Sequence, residues 1–175
     1  MKLEMTLSLA AIITASTTWI LFLISHFYLE PKKEKRKQRE EKLKNLYAPL
    51  YTKIVTRLLE VPKAWRDQDK NMILYKSPEM KNYRENNHFV QFIISNSRYA
   101  SVELLAEVHR YVVDVEYART VPSGIQFISV DKLVKVIVME YNQVKKDLDE
   151  EWDEGELRDG IPTIIKKSIE ESIKK

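Results

Sequence analysis

The chain contains no cysteine, and only three of its 175 residues are glycine. The absence of cysteine excludes a disulfide framework, thiolate catalysis and cysteine-ligated zinc. Glycine is the residue that forms tight turns most readily, so its scarcity argues against a fold of many strands. The net charge of +3 is too small to define a class of partner by itself. The composition therefore indicates a mainly helical protein whose charge has to be considered segment by segment.

Residues 6–29 contain no aspartate, glutamate, lysine or arginine. As a helix rising about 1.5 Å per residue they would extend about 36 Å, enough to cross a hydrocarbon core of about 30 Å. A cleaved signal peptide is the alternative, but its apolar region normally ends after about 7–15 residues. Here the apolar run continues from Trp19 to Ile24, beyond the small residues Ala15 and Ser16. We therefore predict an uncleaved transmembrane helix over residues 6–29, after a short extracytoplasmic N-terminus, residues 1–5.

A basic stem, residues 30–45, follows this segment directly, and Pro31 is expected to bend the chain at the membrane surface. Positive charge beside a span stays in the cytoplasm, which predicts an inner-membrane protein with its N-terminus outside and residues 46–175 cytoplasmic. Nucleic-acid binding is the alternative, but neither interleaved aromatic residues nor a known module accompanies the stem. We therefore predict anionic lipid, and not nucleic acid, as its partner. The predicted headgroup contacts are Lys32, Lys33, Lys35, Arg36, Lys37 and Arg39.

One face of the predicted span carries small or hydroxyl side chains. Small residues let two helix backbones approach closely, and hydroxyl groups can hydrogen-bond across the contact, so this face is a candidate for self-association. The alternative is that the hydroxyl groups bond to carbonyls four residues earlier in their own helix. The candidate packing face consists of Ser8, Ala11, Ala15, Thr18 and Ser25.

Apolar residues at helical spacing predict an all-α protein with a cytoplasmic helical bundle over residues 46–175. The first bundle helix starts near Pro49 and ends before Pro62, and residues 64–75 are expected to form a loop. The second helix starts at Ser77 and ends near Asn96, and a last short helix opens at Pro162. The third is expected over Tyr99 to Arg119, with Val102, Leu105, Val108, Val112 and Val115 toward the core.

The fourth bundle helix, from about Val130 to Trp152, has the most regular apolar pattern, which already starts at Phe127. Its alternating spacing of three and four is that of a heptad, but Leu133 and Val138 widen the stripe, as suits a bundle more than a two-stranded coiled coil. The pattern predicts either packing within the chain or pairing with a second copy, which tethering to a membrane would favour. The candidate helix–helix interface is Val130, Val134, Ile137, Val138, Tyr141, Val144 and Leu148.

No sequence motif indicates catalysis, a cofactor or a metal. Glu85 and His88 have the spacing of a di-iron ligand pair, but the chain lacks the second copy that such a site needs, so a polar surface pair is preferred. The acidic run from Asp147 to Glu156 lacks the glycine and the glutamate that define a calcium loop, and predicts a solvated helix end. We therefore expect no enzyme activity, no cofactor and no metal.

The segment LYAPLY, Leu46–Tyr51, follows the basic stem and the single span, and in this context the chain resembles uncharacterised single-pass helical proteins of bacteria and their phages. The resemblance implies a bacterial or prophage origin and no activity. The predicted function is a membrane-anchored interaction or oligomerisation module, in a phage-related or defence setting. The alternatives are a pore-type effector whose spans assemble on oligomerisation and a membrane-tethered enzyme.

Overall fold

The computed structural model describes residues 14–60, 73–76, 80–120 and 126–173. The described chain is mainly helical and contains a helical bundle, which confirms the predicted class at that level. None of its helices is both long and apolar enough to cross a membrane, and residues 6–13 of the predicted span lie outside the description. The helices are α1 (14–24), α2 (Glu30–Lys42), α3 (Ala48–Glu60), α4 (Met80–Ser95), α5 (Val102–Thr120), α6 (Asp131–Asp147), α7 (Glu154–Asp159) and α8 (Thr163–Ile173). The chain comprises two units, Met1–Glu40 and Glu41–Lys175.

Two π turns, Ser25–Leu29 and Leu43–Tyr47, each end two residues before a proline. The N–H of the residue before Pro31 bonds to the carbonyl of the first residue of its π turn, and the same holds before Pro49. A proline ring crowds the carbonyl four residues earlier, and the wider π turn relieves that crowding. The interruption expected at Pro31 therefore takes the form of a π turn within helical backbone.

A two-stranded antiparallel ribbon pairs β1 (Ile73–Lys76) with β2 (Gln126–Ser129). It corrects two predictions, because β1 includes residues expected in a loop, and Phe127, expected in the fourth bundle helix, lies in β2. Helix α6 begins only at Asp131. The ribbon joins segments about fifty residues apart in sequence, and a search for local helical spacing cannot detect such a pairing.

Helix α6 is the central helix of the second unit, because its buried side chains cover more than one of its faces. They are Leu133, Val134, Val136, Ile137, Val138, Asn142 and Val144. The core around it also contains Leu50 and Ile54 of α3, Phe89 and Ile93 of α4, and Leu104, Val108, Tyr111 and Val115 of α5.

The inward face of α5 differs from the predicted one. Val102 is 87% exposed and Leu105 is 37% exposed, whereas Leu104 is buried. Val108 and Val115 are buried as predicted, and Val112 is partly buried against the core. The error arises at the start of the helix, where three apolar residues within four positions leave the phase of the helix ambiguous.

Gly160 ends α7 in the left-handed region, with φ of 69°. A Cβ added there would lie 2.9 Å from the Cα of Lys135 on α6, closer than real Cβ atoms come to backbone. Glycine thus serves both the turn and the close approach of α7 to α6.

Replacing Ile137 or Val138 by aspartate is expected to unfold the second unit, because each side chain is fully buried and the new charge would have no partner. The expected loss is at least about 4 kcal/mol, most of the stability of an ordinary domain. Val102→Asp is the matched control on an exposed position. Circular dichroism and thermal unfolding of the full chain in detergent provide the measurement, and a folded Ile137→Asp protein would contradict this account of the core.

Candidate functional site

The described part of the predicted span, residues 14–29, has no buried side chain. Phe27, for example, is 70% exposed. A contiguous exposed apolar surface of this kind marks contact with lipid or with another protein. The large exposed apolar side chains are Trp19, Ile20, Leu21, Phe22, Leu23, Ile24, Phe27, Tyr28 and Leu29.

Aromatic contacts connect the apolar segment to the charged helix that follows. The ring of Phe22 stacks on that of His26 at 5.7 Å between centroids. His26 Nδ1 lies 2.8 Å from a carboxylate oxygen of Glu30, and Lys32 Nζ lies 5.0 Å from the centroid of the Tyr28 ring. Apolar surface thus gives way to charge within one helical turn.

The predicted packing face of the span lies only partly within the described residues. Ser8 and Ala11 are outside them, and Ala15, Thr18 and Ser25 are exposed. The hydroxyl of Thr18 donates to the carbonyl oxygen of Thr14 at 2.8 Å. Thr18 thus shows the alternative arrangement, in which a hydroxyl bonds to a carbonyl of its own helix. Association of two spans through this face stays a prediction.

All six predicted lipid-contact residues lie on α2, which has no buried residue. Their charges are distributed unevenly around the helix. Residues at i, i+3, i+4 and i+7 share one face. One such set, which we call the basic face, consists of Lys32, Lys35, Arg36 and Arg39. A second set, which we call the mixed face because it carries both signs of charge, consists of Glu30, Lys33, Glu34 and Lys37.

The two faces lie on opposite sides of α2, because their sets are offset by two residues, or about 200°. On the basic face, Arg36 Nε donates to Glu40 Oε1 at 3.1 Å. The predicted contacts Lys33 and Lys37 belong to the mixed face, so the basic stem is not uniform.

The segment Leu46–Tyr51 contributes two tyrosines that bond to carboxylates in the second unit. Tyr47 is fully buried, and its hydroxyl donates to Glu140 Oε2 at 2.7 Å. The hydroxyl of Tyr51, one turn later, donates to Glu156 at 2.8 Å. The six residues that carried the resemblance therefore attach α3 to α6 and α7 through these hydrogen bonds.

Glu156 corrects the prediction that the acidic run is a solvated helix end, since this glutamate is only 5% exposed. Its carboxylate accepts from Asn142 Nδ2 at 3.0 Å and from the backbone N–H of Thr163 at 2.7 Å, in addition to Tyr51. Asn142 Oδ1 in turn accepts from the backbone N–H of Asp153. These bonds form a polar cluster that joins α3, α6, α7 and α8, and sequence analysis missed it because its partners are far apart in the chain.

Hydrogen bonds and burial shift the pKa values in this cluster. Burial, followed by the bond to Glu156, raises the pKa of Tyr51 well above its ordinary value, and burial with the bond to Glu140 does the same for the pKa of Tyr47. The pKa of Asp153 is lowered, chiefly by the backbone N–H of Glu156 and by the hydroxyl of Thr163. Both tyrosines therefore stay protonated donors, and Asp153 stays an ionised acceptor that caps α7.

The candidate interface on α6 lies within the chain's own core. Tyr141 is partly buried and stacks on Tyr51 at 4.4 Å between ring centroids. The other members are buried, so packing within the chain accounts for the heptad pattern. These are Val130, Val134, Ile137, Val138, Val144 and Leu148.

A groove of about 590 Å³ lies beside this core, between α5 and α6. Glu103 and Glu107 of α5 line it together with Lys132 and Lys135 of α6. The groove also contains the carboxylate of Glu140 on α6, which accepts the hydrogen bond from the Tyr47 hydroxyl. Since the groove combines both signs of charge, it does not define the charge of a ligand.

His88 and His109 are exposed, and the side chain of Glu85 lies outside the described residues. Across the described ranges, no three histidine, aspartate or glutamate side chains are placed to hold one metal ion.

Comparison with known proteins gives no family, because no family model, curated protein or solved structure matches the chain. The resemblance of Leu46–Tyr51 to bacterial and phage proteins therefore stays a hypothesis.

Tyr51→Phe is expected to lower the free energy of unfolding by about 1–3 kcal/mol, because the buried carboxylate of Glu156 loses a donor. Tyr141→Phe is the matched control. It preserves the stacked ring pair and removes a hydroxyl that has no hydrogen-bond partner among the described residues, so it should change stability by less than about 0.5 kcal/mol. Urea unfolding near neutral pH measures both, and equal effects would contradict the role of this bond.

The same variants test the pH dependence. A tyrosine whose pKa is raised by folding contributes stability that is complete below its unfolded pKa of about 10 and is lost as the pH rises above that value. The free energy of unfolding should therefore fall above about pH 10, and it should fall less steeply in Tyr51→Phe than in Tyr141→Phe.

Proposed function

We propose that the chain is a single-pass inner-membrane protein, and that its helical domain, residues 46–175, acts in the cytoplasm as an interaction and oligomerisation module. The exposed apolar run from Trp19 to Leu29, followed at once by the charged helix α2, carries the proposal. Exposed leucine, phenylalanine and tryptophan side chains are stable in hydrocarbon and costly in water. The apolar residues among 6–13 would complete the span.

The basic face of α2 supports the orientation and the choice of lipid. Lysine and arginine beside an apolar segment favour the cytoplasmic side, where each contributes about 1 kcal/mol of attraction to anionic lipid. Lys32 and Lys35 are exposed, so their charges are available to headgroups.

A protein partner would bind elsewhere than the buried α6 pattern, and α5 offers an exposed apolar face. Val113 is 54% exposed and Tyr117 is 71% exposed. At 3.6 residues per turn, these two residues share one face of α5, about 120° wide, with three others. The others are Val102, Leu105 and His109. We assign this α5 face to contact with a second copy, because tethering in one membrane raises the effective concentration of the chain for itself.

The pore-type alternative would need the hydroxyl-bearing face of the span to line a channel. The bond from Thr18 to Thr14 satisfies that hydroxyl within its own helix, which favours an anchor over a channel. A phage-related or defence setting depends only on the resemblance of Leu46–Tyr51.

The proposed topology predicts the labelling of single cysteines introduced into this cysteine-free chain. In intact cells, Leu3→Cys should react with an impermeant maleimide, because residues 1–5 would lie outside. Lys132→Cys, on an exposed position of α6, should react only after lysis. Labelling of Lys132→Cys in intact cells would contradict the orientation.

The α5 contact predicts disulfide formation between copies in isolated membranes treated with a mild oxidant. His109→Cys and Val113→Cys should give a dimer, because both lie near the middle of the α5 face. Lys132→Cys, which is also exposed but lies on α6, is the control and should stay monomeric. A dimer band of equal strength for all three variants, or none for any, would contradict pairing through α5.

A further inference from the structure

The mixed face of α2 borders a shallow surface cavity of about 600 Å³. Its lining starts at His26, near the end of the exposed apolar run, and continues past Leu29 onto α2. It therefore lies at the level where lipid headgroups meet the chain if the proposed anchor is correct. Its lining residues are His26, Glu30, Pro31, Lys33, Glu34 and Lys37.

Both signs of charge are available in this cavity. In the part of the chain that the structure describes, no carboxylate pairs with Lys33 or Lys37. Glu34 accepts one long hydrogen bond of 3.3 Å from Gln38, and Glu30 is bonded by His26 through one oxygen. A carboxylate has about four acceptor sites, so both glutamates can accept further donors.

We propose that this cavity binds the zwitterionic headgroup of a phosphoethanolamine lipid. Lys33 and Lys37 would donate to its phosphate, while Glu30 and Glu34 would accept from its primary ammonium group. Neighbours three or four residues apart on a helix have Cβ atoms about 5–6 Å apart, which suits a ligand whose two charges are separated by two carbons. The inference rests on the proposed function, because the apolar segment is what brings the cavity to the headgroups.

The hydrogen-bonding groups of the ligand distinguish this lipid from others. A choline lipid has the same two charges, but its quaternary ammonium group has no N–H to donate to a carboxylate. A purely anionic lipid has no cation for Glu30 and Glu34, and suits the basic face on the opposite side of α2. The two faces of one helix thus select two classes of headgroup.

The test uses the full chain in nanodiscs that contain equal amounts of phosphatidylethanolamine and phosphatidylcholine with the same acyl chains. Native mass spectrometry then counts the lipid of each class that stays bound. We expect the unaltered chain to retain the ethanolamine lipid about two- to five-fold over the choline lipid, as suits exposed charge-assisted contacts.

The double variant E30Q/E34Q should lose this preference. E40Q/E41Q, which changes the charge of the chain equally but lies outside the cavity, should retain it. Added free phosphoethanolamine should not abolish the preference, because the bilayer holds the lipid at the site. No preference in the unaltered chain, equal loss in both variants, or full competition by the free headgroup would overturn the inference.

Extraction with alkaline carbonate separates this inference from the proposed anchor. A chain that stays in the bilayer but shows no headgroup preference overturns the cavity assignment alone. A chain that carbonate releases from native membranes overturns the anchor and, with it, this inference.

Discussion

The burial of the Glu156 carboxylate is the constraint on which the arrangement of the second unit depends. A carboxylate removed from water is stable only when donors surround it. Those donors come from three different helices, through Tyr51 on α3, Asn142 on α6 and the first N–H of α8. Because breaking one bond leaves a buried charge with too few donors, the network specifies where α7 and α8 lie against the core.

The two units use apolar side chains in opposite ways. In the second unit they are buried around α6, where Val134, Ile137 and Val138 are inaccessible to water. In residues 14–29 they are exposed on all sides. The first pattern is that of an ordinary protein core. The second leaves apolar side chains that need lipid or another protein to cover them. The contrast gives each unit a different physical task.

Sequence periodicity predicted the helices well where the pattern is long, as for α4 and α6. It failed where structure depends on contacts distant in sequence. Phe127 has a helical spacing to Val130 but belongs to a strand, because its pairing partner is Tyr75. Glu156 belongs to an acidic run, and nothing local shows that Tyr51 lies beside it, 105 residues earlier. Periodicity also leaves the direction of a helix face open, which is why Leu105 was predicted inside in place of Leu104.

The distance between Tyr51 and Glu156 along the chain also bears on biosynthesis. A ribosome adds about 5–20 residues per second, so roughly 5–20 s pass between the synthesis of Tyr51 and that of its acceptor, Glu156. For most of that interval α3 has been made, but α6, which begins only at Asp131, has not. Its buried face, with Leu50 and Ile54, is then open to solvent and to chaperones. Completion of this domain therefore follows the synthesis of α3 by several seconds. A chain truncated before Glu156 would carry an apolar surface without the carboxylate that holds the remaining helices in place.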